Sequence, residues 1–267
     1  MKIVRFISGS NIHLGQAIDA TSAKRIEGDL FAGYRVTDEV LSVDRLLAPI
    51  VPRDILCIGV NYRAHAAETG SAVPQTPMLF IKASGTLSDP GAAVVLPYNS
   101  KSVDFEAELA VVIGKTARHV SPENALDHVF GYTCANDVSA RDWQKDKALG
   151  GGQFARGKSF DGFCPLGPWI VTKDEISDPN ALRVSCHVNE SVMQNSTTAD
   201  MIFDVRTLIS SLSATLTLWP GTVILTGTPE GVAAGRTPPP WLKAGDRVRV
   251  EVEKIGVLEN HFVAEQR

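Results

Sequence analysis

The 267-residue sequence has no basic tract, no cysteine pair at CxxC spacing and no apolar run suited to crossing a bilayer. Each absence removes a class of function. Its 26 Lys and Arg stand against 30 Asp and Glu, with both signs interspersed and a net charge of −4, so neither nucleic acid nor a membrane surface is an expected partner. Cys57, Cys134, Cys164 and Cys186 are scattered singly, which argues against a zinc site and a disulfide framework and suits reduced thiols in the cytoplasm. The start, MKIVRFISGS, interrupts its apolar residues with Lys2 and Arg5 and lacks the roughly 7–15 apolar residues of a secretory signal, so secretion is not expected. Residues 207–229 carry no charge, but they are rich in Ser and Thr and broken by Trp219-Pro220-Gly221, unlike a membrane helix of about 20 apolar residues. No internal repeat appears at a period of about 20–50 residues.

With 44% hydrophobic residues the chain can bury a sizeable core. In residues 1–50 the segments KIVRFIS, HLGQAID and RIEGDLF alternate and are punctuated by Gly and Asn, which predicts a small N-terminal region of antiparallel strands. Residues 51–267 form the larger unit. There ILCIGV reads as a strand and NYRAHAAETG as a short helix with a Gly stop, followed by SAVPQTP, expected as a mobile, lid-like loop. SPENALDHV predicts a helix capped by Ser121, and Val205, Leu208, Ile209, Leu212 and Leu216 mark the main amphipathic helix, capped by Asp204 and ended by Pro220-Gly221. TVILTG and two alternating segments around Gly256 add strands, so the fold class is mainly β with helices, an α+β protein.

The stretch VDFEAELAVVIG, read as one strand, sets Asp104, Glu106 and Glu108 in a single column at the mouth of a buried run. A solvated strand face is the ordinary reading of alternate acids. Here LAVVI continues as if buried on both faces, and unpaired carboxylates at its entrance would repel one another and lose hydration, penalties that a cation removes. Asp137, where a strand-like run opens into a helix, is the third candidate ligand beside Glu106 and Glu108. An all-oxygen set suits Mg²⁺, Mn²⁺ or Ca²⁺ rather than zinc and leaves coordination positions for a substrate. His65 and Glu68, three apart on one helix face, are either a surface ion pair or a base and the carboxylate that orients it. Lys158 in ARGKSF could hold a carboxylate or phosphate, but no Walker loop surrounds it, so ATP binding is excluded.

In order along the chain, NYRAHAAE, DFEAELAVVIG, NDVSARDWQ, GKSFDGFCPLGP and LTGTPEGV resemble the signature set of the fumarylacetoacetate hydrolase family, from about residue 54 to the end. The resemblance implies a mixed β-roll catalytic domain over residues 51–267, a homodimer, and a divalent cation, Mg²⁺ first, held by Glu106, Glu108 and Asp137. It implies catalytic roles for His65, Glu68 and Lys158 and substrate contacts from Gln144, Arg141 and Thr228, the last in a carboxylate-binding turn. FIKASG departs from the family, whose members often carry Pro after the Lys and a bulkier residue at Gly85, on the side that faces substrate. The expected reaction is hydrolysis of the C–C bond of a 2,4-dioxo acid, an acylpyruvate or fumarylpyruvate, to pyruvate and a carboxylic acid. Decarboxylation of oxaloacetate and isomerisation of a dienedioate at the same site are its alternatives, and a metal-stabilised dimer without turnover is the non-enzymatic one. The expected compartment is the cytoplasm, with the mitochondrial matrix also open.

Overall fold

A computed structural model describes residues 1–266, and strands dominate it. The first 50 residues hold five strands: β1 (Lys2–Ser8), β2 (Asn11–Ala17), β3 (Ser22–Asp29), β4 (Gly33–Ser42) and β5 (Arg45–Leu47). Next come β6 (Ile55–Gly59), helix α1 (Arg63–Glu68), β7 (Met78–Ile81), β8 (Leu87–Ser88), β9 (Ala93–Leu96), β10 (Val103–Asp104) and β11 (Ala107–Ile113). Then β12 (Val129–Asn136), β13 (Ser139–Ala140), α2 (Arg141–Lys145), α3 (Phe154–Lys158), β14 (Cys164–Thr172), β15 (Arg183–Val188) and β16 (Ser191–Thr197) follow. Helix α4 (Val205–Thr215), β17 (Val223–Leu225), β18 (Arg247–Val252) and β19 (Gly256–Ala264) complete the chain.

The large sheet runs β4-β3-β2-β1-β14-β12-β11-β17-β6-β7, so the N-terminal meander continues the central sheet through the β1–β14 pair. The spacing of apolar residues points to three N-terminal segments; β4 escapes it because its inward residues, Tyr34, Val36 and Leu41, are only partly buried and a register shift against β3 breaks their alternation. The central strands read as expected for burial on both faces. Leu109, Val111 and Ile113 of β11 pack into a cluster with Leu208, Ile209 and Leu212 of α4, while Ala110 and Val112 face Ile3, Ile170 and Val223 on the other side. Each such aliphatic side chain contributes about 1.5–3 kcal/mol on burial.

Helix α4 starts where the spacing predicts it, with the Asp204 carboxylate accepting the Thr207 N–H at 2.7 Å, but it ends at Thr215: Leu216 is extended and exposed beyond it, so Pro220-Gly221 is not its stop. The stretch after Ser121 is instead a 3₁₀ helix, Pro122–His128, in which the Ser121 side chain makes no cap; its backbone carbonyl takes the Asn124 N–H. The C-terminal segments pair as β18 and β19 within a second sheet, β16-β15-β18-β19-β9. Among the described residues, no helix is long and apolar enough to cross a membrane.

Candidate active site

Residues 103–114 do not form one strand. Pairing breaks at Phe105 and Glu106: β10 joins β13 in a separate two-stranded sheet, and β11 begins at Ala107 beside β12. The Phe105 N–H turns to the Asp104 carboxylate (2.9 Å), and the Glu106 N–H is taken by Asn136 Oδ1 (3.0 Å). The expected column of three acids is therefore split. Asp104 accepts the N–H groups of Ala233 and Ala234 (2.8 and 3.1 Å) and the Nε–H of Arg141 (2.8 Å), while Glu106 and Glu108 remain together.

The end of β12 carries Asp137 to that pair, and its N–H donates to the Glu106 carbonyl at 2.9 Å. Ligand oxygens of Glu106, Glu108 and Asp137 lie within 4.8 Å of one another, all in buried side chains. Uncompensated, three carboxylates so placed would cost several kcal/mol each in lost hydration. Arg141 Nη2 donates to Glu106 Oε1 at 2.5 Å, and Lys158 Nζ donates to Glu106 Oε2 and, at 2.6 Å, to Asp137 Oδ2. Burial opposes ionisation of Glu106, but Arg141 and Lys158 outweigh it and hold the carboxyl well below the ordinary range. Glu108 has no basic side chain, only the Gly227 N–H at 2.6 Å. Burial first, then Asp137 and Glu106, push its carboxyl well above the usual value. A small divalent cation among these oxygens would satisfy the one acid of the three that no basic side chain contacts, Lys158 acting on it only from a distance, so the donor set fits the metal that the sequence suggests.

Lys158 reaches the cluster because Gly157 lets α3 lie against α2. A Cβ at Gly157 would sit 2.7 Å from both the Ala140 carbonyl oxygen and the Gln144 nitrogen. The glycine in ARGKSF thus serves helix packing, not phosphate binding. Burial disfavours the Lys158 ammonium, but Asp137 and Glu106 overcome it and raise its pKa above that of a free lysine.

The dyad sits on α1, a helix too short to persist alone. Asn61 pins its start by donating to the Thr226 carbonyl (2.7 Å) and accepting the Phe203 N–H (2.9 Å), and Asp200 takes the Ala64 N–H (3.0 Å). His65 is 7% exposed, which rules out the surface ion pair. Its Nδ1 lies 2.8 Å from Glu68 Oε1, and Glu68 Oε2 accepts the Gly231 N–H at 2.9 Å. His65 Nε2 has no protein partner among the described residues.

His65, Glu106, Glu108, Arg141, Gln144, Lys158 and Thr228 line one cavity of about 100 Å³, with Glu68 and Asp137 behind its wall. Larger surface grooves, one of about 450 Å³ beside the N-terminal strands, hold no convergent set of buried charged groups. Gln144 accepts from Arg141 Nη1 (3.0 Å), leaving its amide hydrogens for a ligand. The Thr228 hydroxyl already donates to the Ala107 carbonyl (3.0 Å) and accepts from Gln194 Nε2 (2.8 Å). Only its backbone N–H remains to donate to a carboxylate.

Three contributors were not read from the sequence. Lys82, 4% exposed, donates to Asp137 Oδ1 (2.5 Å) and the Val138 carbonyl (3.1 Å); a lone Lys ending the apolar strand MLFI was its available signal. Gln194 fixes Thr228 and takes the Ala107 N–H (2.9 Å), and nothing in QNSTT marks it. Gly235 is the third: a Cβ there would lie 2.5 Å from Glu68 Oε2 and 2.7 Å from its Cδ. Gly235→Ala should therefore push Glu68 off His65 and lower kcat by about 10-fold while the affinity for Mn²⁺ holds, and steady-state kinetics with a metal titration check both. Wild-type kcat in this variant would mean that Glu68 does not orient the imidazole.

A profile described as fumarylacetoacetate (FAA) hydrolase C-terminal matches residues 54–263, and one described as Rv2993c-like, N-terminal, matches residues 1–49. Oxaloacetate tautomerase fahd2, mitochondrial, of Xenopus laevis is 50% identical over 219 residues, 82% of this chain and 68% of that protein. The crystal structure of 2-hydroxyhepta-2,4-diene-1,7-dioate isomerase from Mycobacterium marinum matches at a TM-score of 0.86 and 37% identity, covering 100% of both chains. That of 5-carboxymethyl-2-hydroxymuconate delta-isomerase from Mycobacterium smegmatis matches at 0.87 and 36%, covering 99% of this chain and 100% of the other.

Proposed function

The chain belongs to the fumarylacetoacetate hydrolase family, and from that premise we propose that it shifts a proton on a 2-oxo dicarboxylic acid, with the enol–keto tautomerisation of oxaloacetate as its reaction. The names of its relatives favour the isomerase and oxaloacetate chemistry that stood as the alternative to C–C hydrolysis, and they add tautomerisation to the reactions the sequence suggests. The observation that carries the reading is a buried His–Glu pair opening onto a cavity of about 100 Å³ beside three converging carboxylates. Ligand pockets commonly run from about 300 to 1,000 Å³. A four-carbon diacid suits the smaller space better than an acylpyruvate with its attacking water.

A divalent cation held by Glu106, Glu108 and Asp137, with Mg²⁺ proposed before Mn²⁺ or Ca²⁺, would polarise the 2-oxo group and stabilise negative charge on its oxygen. Tautomerisation needs one proton removed from oxygen and one delivered to the neighbouring carbon. Glu68 accepts the Nδ1–H of His65, which leaves Nε2 unprotonated to take the enol O–H proton and then return it to the neighbouring carbon, so that no proton is gained or lost overall. Lys158, kept charged by Glu106 and Asp137, contributes positive potential where the enolate oxygen develops charge. The amide of Gln144 and the backbone N–H of Thr228 are the donors proposed to orient the substrate carboxylate, with Arg141 setting the position of Gln144.

On one face of the edge strand β7 the exposed Leu79 and Ile81 join Leu216 and Trp219 in an apolar patch that supports a homodimer, to be measured by light scattering. All four cysteines are free and buried, and burial pushes the thiols of Cys134 and Cys164 up to about 12. Such thiols suit a reducing compartment, the cytoplasm or the mitochondrion that the frog relative's name gives.

The test follows the enol absorbance of oxaloacetate. Purified protein with Mg²⁺ should speed its decay above the buffer rate, and EDTA should remove the gain. Cleavage of acetopyruvate at a higher kcat/KM than oxaloacetate tautomerisation would return the reaction to hydrolysis.

A further inference from the structure

The basic side chains within the cavity are already committed. Arg141 holds Asp104 and Glu106, Lys158 holds Glu106 and Asp137, and Lys82, behind the wall, holds Asp137. A substrate that sets its 2-oxo acid end against the carboxylate cluster finds no spare cation there for a second carboxylate. Lys145 is the exception: it lines the same cavity, is exposed, and has no ion pair or side-chain hydrogen bond among the described residues.

Its position follows from the helix. Residues four apart share a face, so Arg141 and Lys145 project from one side of α2, the first buried in the cluster and the second at the rim. The backbone from which Lys145 springs is fixed: Asp146 N–H donates to the Asp142 carbonyl (2.8 Å), Gly151 N–H to that of Asp146 (2.7 Å) and Gly152 N–H to that of Gln144 (3.0 Å). Thr69 and Ser71 line the same cavity; the Thr69 hydroxyl donates to the His65 carbonyl (2.8 Å), which leaves the Ser71 hydroxyl, 2.9 Å from it, as the neutral donor. Most exposed lysines are simply solvated. This one borders a cavity in which the other lysine and arginine side chains are held by carboxylates.

We propose that Lys145 pairs with the distal carboxylate of the substrate and restricts the enzyme to 2-oxo dicarboxylates. The inference rests on the 2-oxo acid reading above and adds the residue that selects the diacid. A charge-assisted contact at a partly desolvated rim corresponds to about a tenfold change in affinity. In the Mg²⁺-loaded enzyme, Lys145→Met should raise KM for oxaloacetate about 10-fold with kcat changed less than about threefold, and Lys145→Arg should restore most of it. The inhibition constant of pyruvate, which lacks the second carboxylate, should stay within about twofold in both variants. A KM shift below about twofold, or parallel losses for oxaloacetate and pyruvate, overturns the proposal.

Calorimetry separates the two claims. If wild-type protein does not tautomerise oxaloacetate, the function fails, yet the binding comparison still decides the residue. Tighter binding of oxaloacetate than pyruvate, lost in Lys145→Met, supports it; equal affinities in wild type overturn it.

Discussion

His65→Ala lowers the rate of oxaloacetate tautomerisation by about 10²- to 10⁴-fold, the range that a positioned acid–base group supplies, and leaves Mn²⁺ binding in place. The separation follows from the geometry: the imidazole meets Glu68 through Nδ1, whereas the oxygens that converge as a ligand set belong to Glu106, Glu108 and Asp137. Glu68→Gln should cost less, because the amide oxygen can still accept the Nδ1–H while the charge that favours the protonated ring is gone. Stopped-flow decay of the enol band, with metal affinity measured on the same samples, tests both variants. A His65→Ala protein that retains the wild-type rate would remove the imidazole from the reaction.

The second large effect is one of opposite signs. Glu108 is buried with no basic side chain in contact, and burial and its two acidic neighbours outweigh the more distant Lys158, so Glu108→Gln should leave the metal-free protein with a Tm no lower than wild type. Its affinity for Mn²⁺ should fall by on the order of 100-fold and its activity with it, the pattern of a group kept for function at the expense of stability. Glu106→Gln should behave otherwise. That change leaves Arg141 and Lys158 short of a buried partner, and breaking a buried pair from one side costs about 3–5 kcal/mol, so Tm should drop. Thermal unfolding in EDTA, beside a Mn²⁺ titration, distinguishes the two. Equal losses of Tm in both variants would show that Glu108 is paired in solution.

Much of the site was legible because its chemistry is written in short-range spacing. Two acids at alternate positions ahead of a doubly buried strand, and a His and Glu three apart after a strand, each need only local geometry to be brought together. What was hidden depends on contacts distant in sequence. The break at Phe105 cannot be read from an alternating string; it arises because Asp104 is captured by Arg141 and by the N–H groups of residues 233–234. Lys82 has a role only through Asp137, 55 residues away, and Gln194 only through Thr228 and Ala107. In the fold, the helix from Val205 was legible through its period and its aspartate cap, while in β4 a register shift interrupts the alternation of its partly buried Tyr34, Val36 and Leu41.

The parallel pairing of β6 with β17 sets Ile55 beside Val223, and Gly231 secures Glu68 from the far end of the chain. A growing polypeptide therefore carries its carboxylates and its imidazole out of the ribosome long before the residues that hold them have been made. Until residue 235 has cleared the exit tunnel, β6 and β11 are apolar strands without their common neighbour β17 and are open to mispairing with other nascent chains. Assembly is thus deferred until β17 and the turn at Gly231 have been made, and a product truncated before them would expose those strands and lack the glycine turn that steadies the dyad.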